Sequence, residues 1–191
     1  MQNILRPPLA LFVLFTLLFG GIYPGVITLA ARALFPRQSQ GSLIEKNGQV
    51  LGSKLIGQNF TAPKYFWGRL SATTPFAYNA SASSASNLGA ASPALLDAVK
   101  SRIQALKKAD PKNPRSIPVD LVTASGSGLD PDISPAAAEY QIARVAKARG
   151  IPAHRVSELV EKYTTPRTFG LLGEPGVNVL LLNLSLDGEM P

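Results

Sequence analysis

Leu9 to Ala31 reads LALFVLFTLLFGGIYPGVITLAA, and these 23 residues carry no charge. At ~1.5 Å rise per residue they reach about 34 Å as a helix, enough to cross a hydrocarbon core of ~30 Å. Arg6 bounds the run in front and Arg32 behind. A single transmembrane helix over residues 9–31 is the favoured reading, preceded by a short tail, residues 1–8. The alternative is a cleaved signal peptide, because Ala31-Arg32-Ala33 has the spacing of a cleavage site. Signal cores run only ~7–15 apolar residues, and this run is longer. Gly20-Gly21 and Pro24-Gly25 interrupt it. In lipid such residues are tolerated where a neighbouring helix covers the weakened backbone. Docking against other helices and ordinary glycine usage in a lone anchor both fit. One helix without an intramembrane charge offers no ion path, so any part in transport is an accessory one.

The rest of the composition narrows the function classes. The chain has 191 residues, 46% apolar and 16% charged, against ~25% charged in an average soluble domain. That much apolar material supports a core and argues against disorder. There is no cysteine, and His154 is the only histidine. A disulfide framework and a zinc site built from Cys or His are therefore excluded. The formal net charge is +7, but Lys107-Lys108 is the only adjacent basic pair. So scattered a charge suits a membrane surface or an acidic partner better than nucleic acid, and no nucleic-acid partner is expected.

Beyond the anchor, residues 32–191 read as one soluble domain. Asn47-Gly48, flanked by Leu43-Ile44 and Val50-Leu51, supplies the two positive φ angles of a type I′ turn and predicts a β-hairpin. Residues 60–92 hold Phe60, Tyr65, Phe66, Trp67, Phe76 and Tyr78 among turn residues. A loop this aromatic packs on its own core or on a partner, and sequence does not choose. Ser92-Pro93 opens a helix to about Lys108, with Ser92 as N-cap and the lysines at the negative end. Val119 to Thr123 reads as a short strand. Ser134-Pro135 opens a second helix, to about Arg149, with Gly150 suited to the left-handed position that ends it. A shorter helix follows Ile151-Pro152, and Val177 to Leu186 reads as a long apolar strand. The sum is a small α+β soluble domain on a single N-terminal transmembrane helix.

Catalytic motifs fare poorly. Gly52-Ser53-Lys54-Leu55-Ile56-Gly57 has P-loop glycine spacing, but Gln58 and Asn59 stand where Lys and Ser/Thr belong. Thr123-Ala124-Ser125-Gly126-Ser127-Gly128-Leu129-Asp130 is the most site-like run. Its small residues allow N–H groups to approach an anion, or its hydroxyls satisfy buried backbone in a structural loop. Asp130-Pro131-Asp132 imitates the start of a calcium loop, but Pro135 and Gln141 occupy its glycine and glutamate positions. A hydrolase would have to pair Ser125 or Ser127 with His154, without any Gly-x-Ser-x-Gly elbow.

Several ordered motifs carry a resemblance that spans nearly the whole chain. They are Gly41 to Ile44, Gly52 to Phe60, Tyr65 to Arg69 with Ser71 to Thr73, and Tyr78-Asn79 with Ser86-Asn87. They continue with Asp120 to Asp130, Ile133 to Ala137, Arg144 to Arg149, Gly173 to Pro175, and Val177 to Leu180 with Leu182-Asn183. In this order they resemble the KdpC family, the C subunits of the high-affinity potassium-transporting Kdp P-type ATPase. The resemblance implies three partner subunits: a potassium-channel-like A subunit, a P-type ATPase B subunit and a small F subunit in the membrane. It implies no intrinsic cofactor and no catalysis by this chain alone. The family is described as a catalytic chaperone that raises the ATP affinity of B. It further implies a plasma-membrane (inner-membrane) protein with its N-terminus cytoplasmic and its domain periplasmic. The flanking charges lean the other way, with Arg32, Arg37 and Lys46 after the helix against Arg6 and the terminal amine before it. A nucleotide contact suggested for the family falls here on Ser83, Ser84, Ser86 and Asn87, with Thr123, Ser125, Ser127 and Asp130 as further ATP or anion candidates. The chain departs from the family pattern at Ala85, where glycine is expected. It also has Leu70 where proline is usual and Asp132 where histidine or asparagine is commoner.

Overall fold

Pro24 sets the local shape of the first helix, because it has no N–H to return to the preceding turn. In the computed structural model, which describes residues 4–188, the turn before it widens. Helix α1 (Arg6–Leu17) passes through a π turn (Leu18–Ile22) into α2 (Tyr23–Leu34). The Tyr23 N–H reaches back five residues to the Leu18 carbonyl. Together they form one apolar helix, Arg6–Leu34, long enough to cross a membrane, with none of its residues buried. A one-turn helix, α3 (Pro36–Ser39), follows. The chain divides into two units between Leu43 and Ile44.

The expected hairpin starts at this boundary. Strand β1 (Leu43–Lys46) pairs with β2 (Gln49–Ser53). Asn47 and Gly48 have φ of 52° and 78°, as a type I′ turn requires. Residues 60–92 stay irregular apart from a 3-10 turn at Ala80–Ala82. Helix α4 (Pro93–Ala109) carries Lys107 and Lys108 in its last turn, but the Ser92 hydroxyl makes no cap hydrogen bond. Proline at N1 starts this helix without the hydroxyl. Val119–Leu121 is a 3-10 turn rather than a strand. The Thr123 hydroxyl and N–H both return to the Val119 carbonyl, which curls the segment back on itself.

Helices α5 (Pro135–Arg149) and α6 (Ala153–Lys162) pack against each other and are joined through Gly150, whose φ is 67°. The Ser134 hydroxyl caps α5 by accepting the Ala137 N–H at 3.0 Å. Strands β3 (Asp132–Ile133), β4 (Thr164–Thr165) and β5 (Gly176–Asn178) make a small antiparallel sheet in the order β3-β5-β4. Ile133 and Thr164 both lie opposite Val177.

The long strand expected from Val177 to Leu186 does not form. Its first residues are β5, and Val179–Leu186 is helix α7. The Asn178 carboxamide accepts the Leu181 N–H at 3.0 Å, so the residue that looked like a polar interruption of a strand is an N-cap. A helix apolar on every side belongs in a core or in a membrane. Val179, Leu180, Leu182 and Asn183 of α7 are buried. The core gathers Phe66, Trp67, Leu106, Leu121, Ile133, Val145, Val156, Val177, Val179 and Leu182.

Candidate functional site

Phe66 and Trp67 of the aromatic loop belong to the core, while Phe76 is exposed. Two side-chain amides pair with the loop as a neighbouring strand would. Asn183 accepts the Phe66 N–H at 2.8 Å and donates to the Phe66 carbonyl at 2.9 Å. Gln141 does the same for Trp67, at 2.8 and 3.1 Å. The Arg144 and Arg102 guanidinium groups both sit over the Trp67 ring, with their carbons 4.7 and 5.1 Å from its centroid. Arg144 donates to the carbonyls of Pro63 and Tyr65 and to Gln141. Burial pushes its pKa down to about 10. Burial also lowers that of Arg102, which donates to the carbonyls of Leu121 and Gly68. At the loop's edge Arg149 holds the Lys64 and Leu186 carbonyls and pairs with Asp187 at 2.8 Å. Tyr65 donates its hydroxyl to the same carboxylate at 2.7 Å. Burial works against the Asp187 charge, but the bonds from Tyr65 and Arg149 outweigh it and hold its pKa below the ordinary range.

The candidate anion residues come together only in part. Ser83 and Ser84 meet the glycine-rich loop: the Ser83 hydroxyl and the Ser84 N–H both donate to the Ser127 carbonyl, at 2.9 and 3.1 Å. Ser86 and Asn87 are exposed, and Asn87 donates to the nearby Ala85 carbonyl. Within the loop, Ser125 Oγ accepts the Gly128 N–H and Ser127 Oγ accepts the Leu129 N–H, each at 3.1 Å. The Ser125 N–H is taken by the Leu70 carbonyl, and the Thr123 hydroxyl points back to Val119. These N–H groups and hydroxyls therefore serve the loop itself.

Gly128 shows how closely the pieces fit. Its φ is 70°, and a Cβ there would collide with the Thr73 methyl group and the Ser84 carbonyl. Ser71 clasps the same residue by donating to the Gly128 carbonyl at 2.7 Å, and it accepts the Tyr78 N–H. Tyr78 donates to the Arg69 carbonyl at 2.6 Å, and burial raises its pKa to about 12. Asp130 pairs with Arg69 at 3.0 Å and accepts the Asp132 N–H. Burial, then the Asp130 charge, raises the pKa of Asp132.

His154 lies elsewhere. It is exposed on α6 and lines a cavity of about 850 Å³ with Tyr140, Lys147, Val160 and Glu161, whose walls include neither Ser125 nor Ser127. No cluster of three metal-ligating side chains occurs among the described residues. The residues that sequence reasoning missed are the amides Gln141 and Asn183 and the arginines Arg102 and Arg144. A polar residue inside an apolar helical stripe was one signal, and Arg144 and Asn183 also stand in the ordered motifs of the resemblance.

Residues 5–188 match the family model described as K+-transporting ATPase, c chain. A potassium-transporting ATPase KdpC subunit from Herpetosiphon aurantiacus is 60% identical over 187 residues, covering 98% of this chain and 97% of the relative. KdpC subunits from Methylococcus capsulatus and Variovorax paradoxus are each 61% identical, over 98% and 99% of this chain and 98% of either relative. With a matching model across nearly its full length and relatives at this identity, the chain belongs to the KdpC family, accessory subunits of the potassium-transporting ATPase whose catalytic subunit is KdpB.

Proposed function

We propose that the chain stabilises the assembled potassium pump and raises the ATP affinity of its ATP-hydrolysing subunit through subunit contacts, without supplying a catalytic group. One observation carries this reading. In a chain similar to KdpC subunits from end to end, the hydroxyls of Thr123, Ser125 and Ser127 are engaged with the chain's own backbone. In this reading residues 1–8 are a cytoplasmic tail, 9–31 span the membrane and 32–191 form the domain outside it. The A, B and F subunits are the partners. A domain on the far side of the membrane acts on ATP only as a coupling free energy, typically ~1–3 kcal/mol between distant sites. That corresponds to a change in ATP affinity of roughly 5- to 150-fold. The test compares purified pump with and without the chain. A KM for ATP that is unchanged in an otherwise intact complex refutes the coupling. A reporter fused after residue 191 fixes the compartment, and cytoplasmic signal refutes the topology.

A second reading has one observation in its favour. Arg69 Nε is buried without a hydrogen-bond partner among the described residues, beside Asp130 and the loop that Ser83 and Ser84 join. In this reading ATP or another anion contacts Ser83, Ser84, Ser86, Asn87, Thr123, Ser125, Ser127 and Asp130 directly. Equilibrium binding of ATP to the full-length chain decides between the two. Saturation below millimolar ATP favours direct contact, and failure to saturate removes it.

A further inference from the structure

Between β4 and β5 the chain leaves the sheet for ten residues, from Pro166 to Pro175. The tip of this excursion is apolar and uncovered. Phe169 is 90% exposed, Leu171 80% and Leu172 64%. Single exposed apolar residues are ordinary, but three on one short tip are not. The tip is also internally braced. The Thr168 N–H donates to the Leu172 carbonyl at 2.8 Å, and the N–H groups of Leu171 and Leu172 both return to the Thr168 carbonyl. The Gly170 N–H is taken by the Arg167 carbonyl. With these backbone groups paired internally, the tip enters an apolar environment without leaving them unsatisfied. Arg167 and Glu174 form an ion pair at its base, so the projecting part carries no net charge. Phe169 itself holds a φ of 54°, a left-handed conformation that costs an L side chain energy and here aims an aromatic ring outward.

We propose that this tip is a docking knob that seats in an apolar, uncharged recess on a neighbouring subunit of the same membrane complex. The inference rests on the reading of the chain as an accessory subunit. Two features select this occupant. Three side chains offer on the order of 450 Å², well below the ~800 Å² per partner of a stable free-standing interface. A second copy of the chain would not be held by that area alone, whereas a subunit already retained beside it gains an anchoring contact. The ion pair at the base neutralises the one cation that would draw the tip to anionic lipid headgroups.

The chain has no cysteine, so Leu171→Cys introduces a single reporter thiol. The full-length variant is assembled into the complex in vesicles, and modification of this chain is followed by mass with a water-soluble and a membrane-permeant lipophilic maleimide. Assembly is expected to slow both reactions about tenfold relative to the unassembled chain. An unchanged aqueous rate overturns the inference, as does faster reaction with the lipophilic reagent, which would place the tip in the bilayer. Co-purification of the unmodified chain is measured in parallel. If that fails, the subunit reading itself is wrong; if the complex forms and the introduced thiol stays reactive, only the knob is. Phe169→Asp provides the second measurement. The unassembled variant should melt as the native chain does, yet its retention in the complex should fall about tenfold. Equal retention also overturns the inference.

Discussion

Asn183 grips both polar groups of the Phe66 backbone, 117 residues away in sequence, accepting its N–H at 2.8 Å and donating to its carbonyl at 2.9 Å. One side chain on α7 thus holds the aromatic loop against the core. Replacing it with leucine preserves approximate volume but leaves two buried backbone groups unpaired, at ~1–3 kcal/mol each. Asn183→Leu should lose about 3 kcal/mol of stability. Denaturant unfolding of the full-length chain in detergent measures this. A loss of less than about half a kilocalorie per mole, below the net worth of one ordinary hydrogen bond, would show that the grip is dispensable.

Gly128 brings a second long-range constraint. Alanine there meets an unfavourable φ and a Cβ collision with Thr73 and the Ser84 carbonyl. Gly128→Ala should destabilise the chain by roughly 2 kcal/mol or more, the sum of backbone strain and overpacking. Gly126→Ala should be milder, because nothing lies within 4 Å of its Cβ position. Thermal melts of the two variants, side by side, test the order.

Asp187 predicts an acid response. Its pKa in the folded chain lies below the ordinary 3.8, so its ion pair and hydrogen bond stabilise the fold above that value. The contribution disappears as the pH falls through the lowered pKa and the carboxylate is protonated. Asp187→Asn should therefore melt lower than the native chain at pH 7, and the two curves should converge below about pH 3.8. Persistence of the gap at low pH would mean that the charge is not its source.

Asp132 predicts the opposite sign. Its raised pKa means that the folded state resists the charge, which costs stability at neutral pH. Lowering the pH through the raised value removes that cost. Asp132→Asn should raise the melting temperature at pH 7, with a gain that shrinks as the medium becomes acidic. A variant that melts lower at every pH would sink the argument.

Much of the architecture was legible in local chemistry. Asn47-Gly48, Ser134-Pro135 and Gly150 each impose their conformation within a few residues, and the hairpin and α5 appear where these signals stand. The uncharged run was equally plain, since helix length and hydrocarbon thickness share a scale. Val177 to Leu186 misled because a short apolar run has no informative period. Its state is decided by Asn178, which caps, and by contacts with Phe66 that no local pattern carries. Val119 to Thr123 misled for a related reason: β-branched residues suggested a strand, but the Val119 carbonyl collected both Thr123 donors. Site candidates were legible as residue types only. That Ser83 reaches Ser127 while Ser86 and Asn87 face outward depends on loop closure across 44 residues.

The π turn at Leu18–Ile22 has a geometric consequence for anything packed beside the first helix. One additional residue in a turn rotates every later side chain by about 100° relative to the stripe before it. Residues that share a face up to Leu17 are thus out of azimuthal step with those from Tyr23 onward. A single rod so divided presents its two halves in different directions.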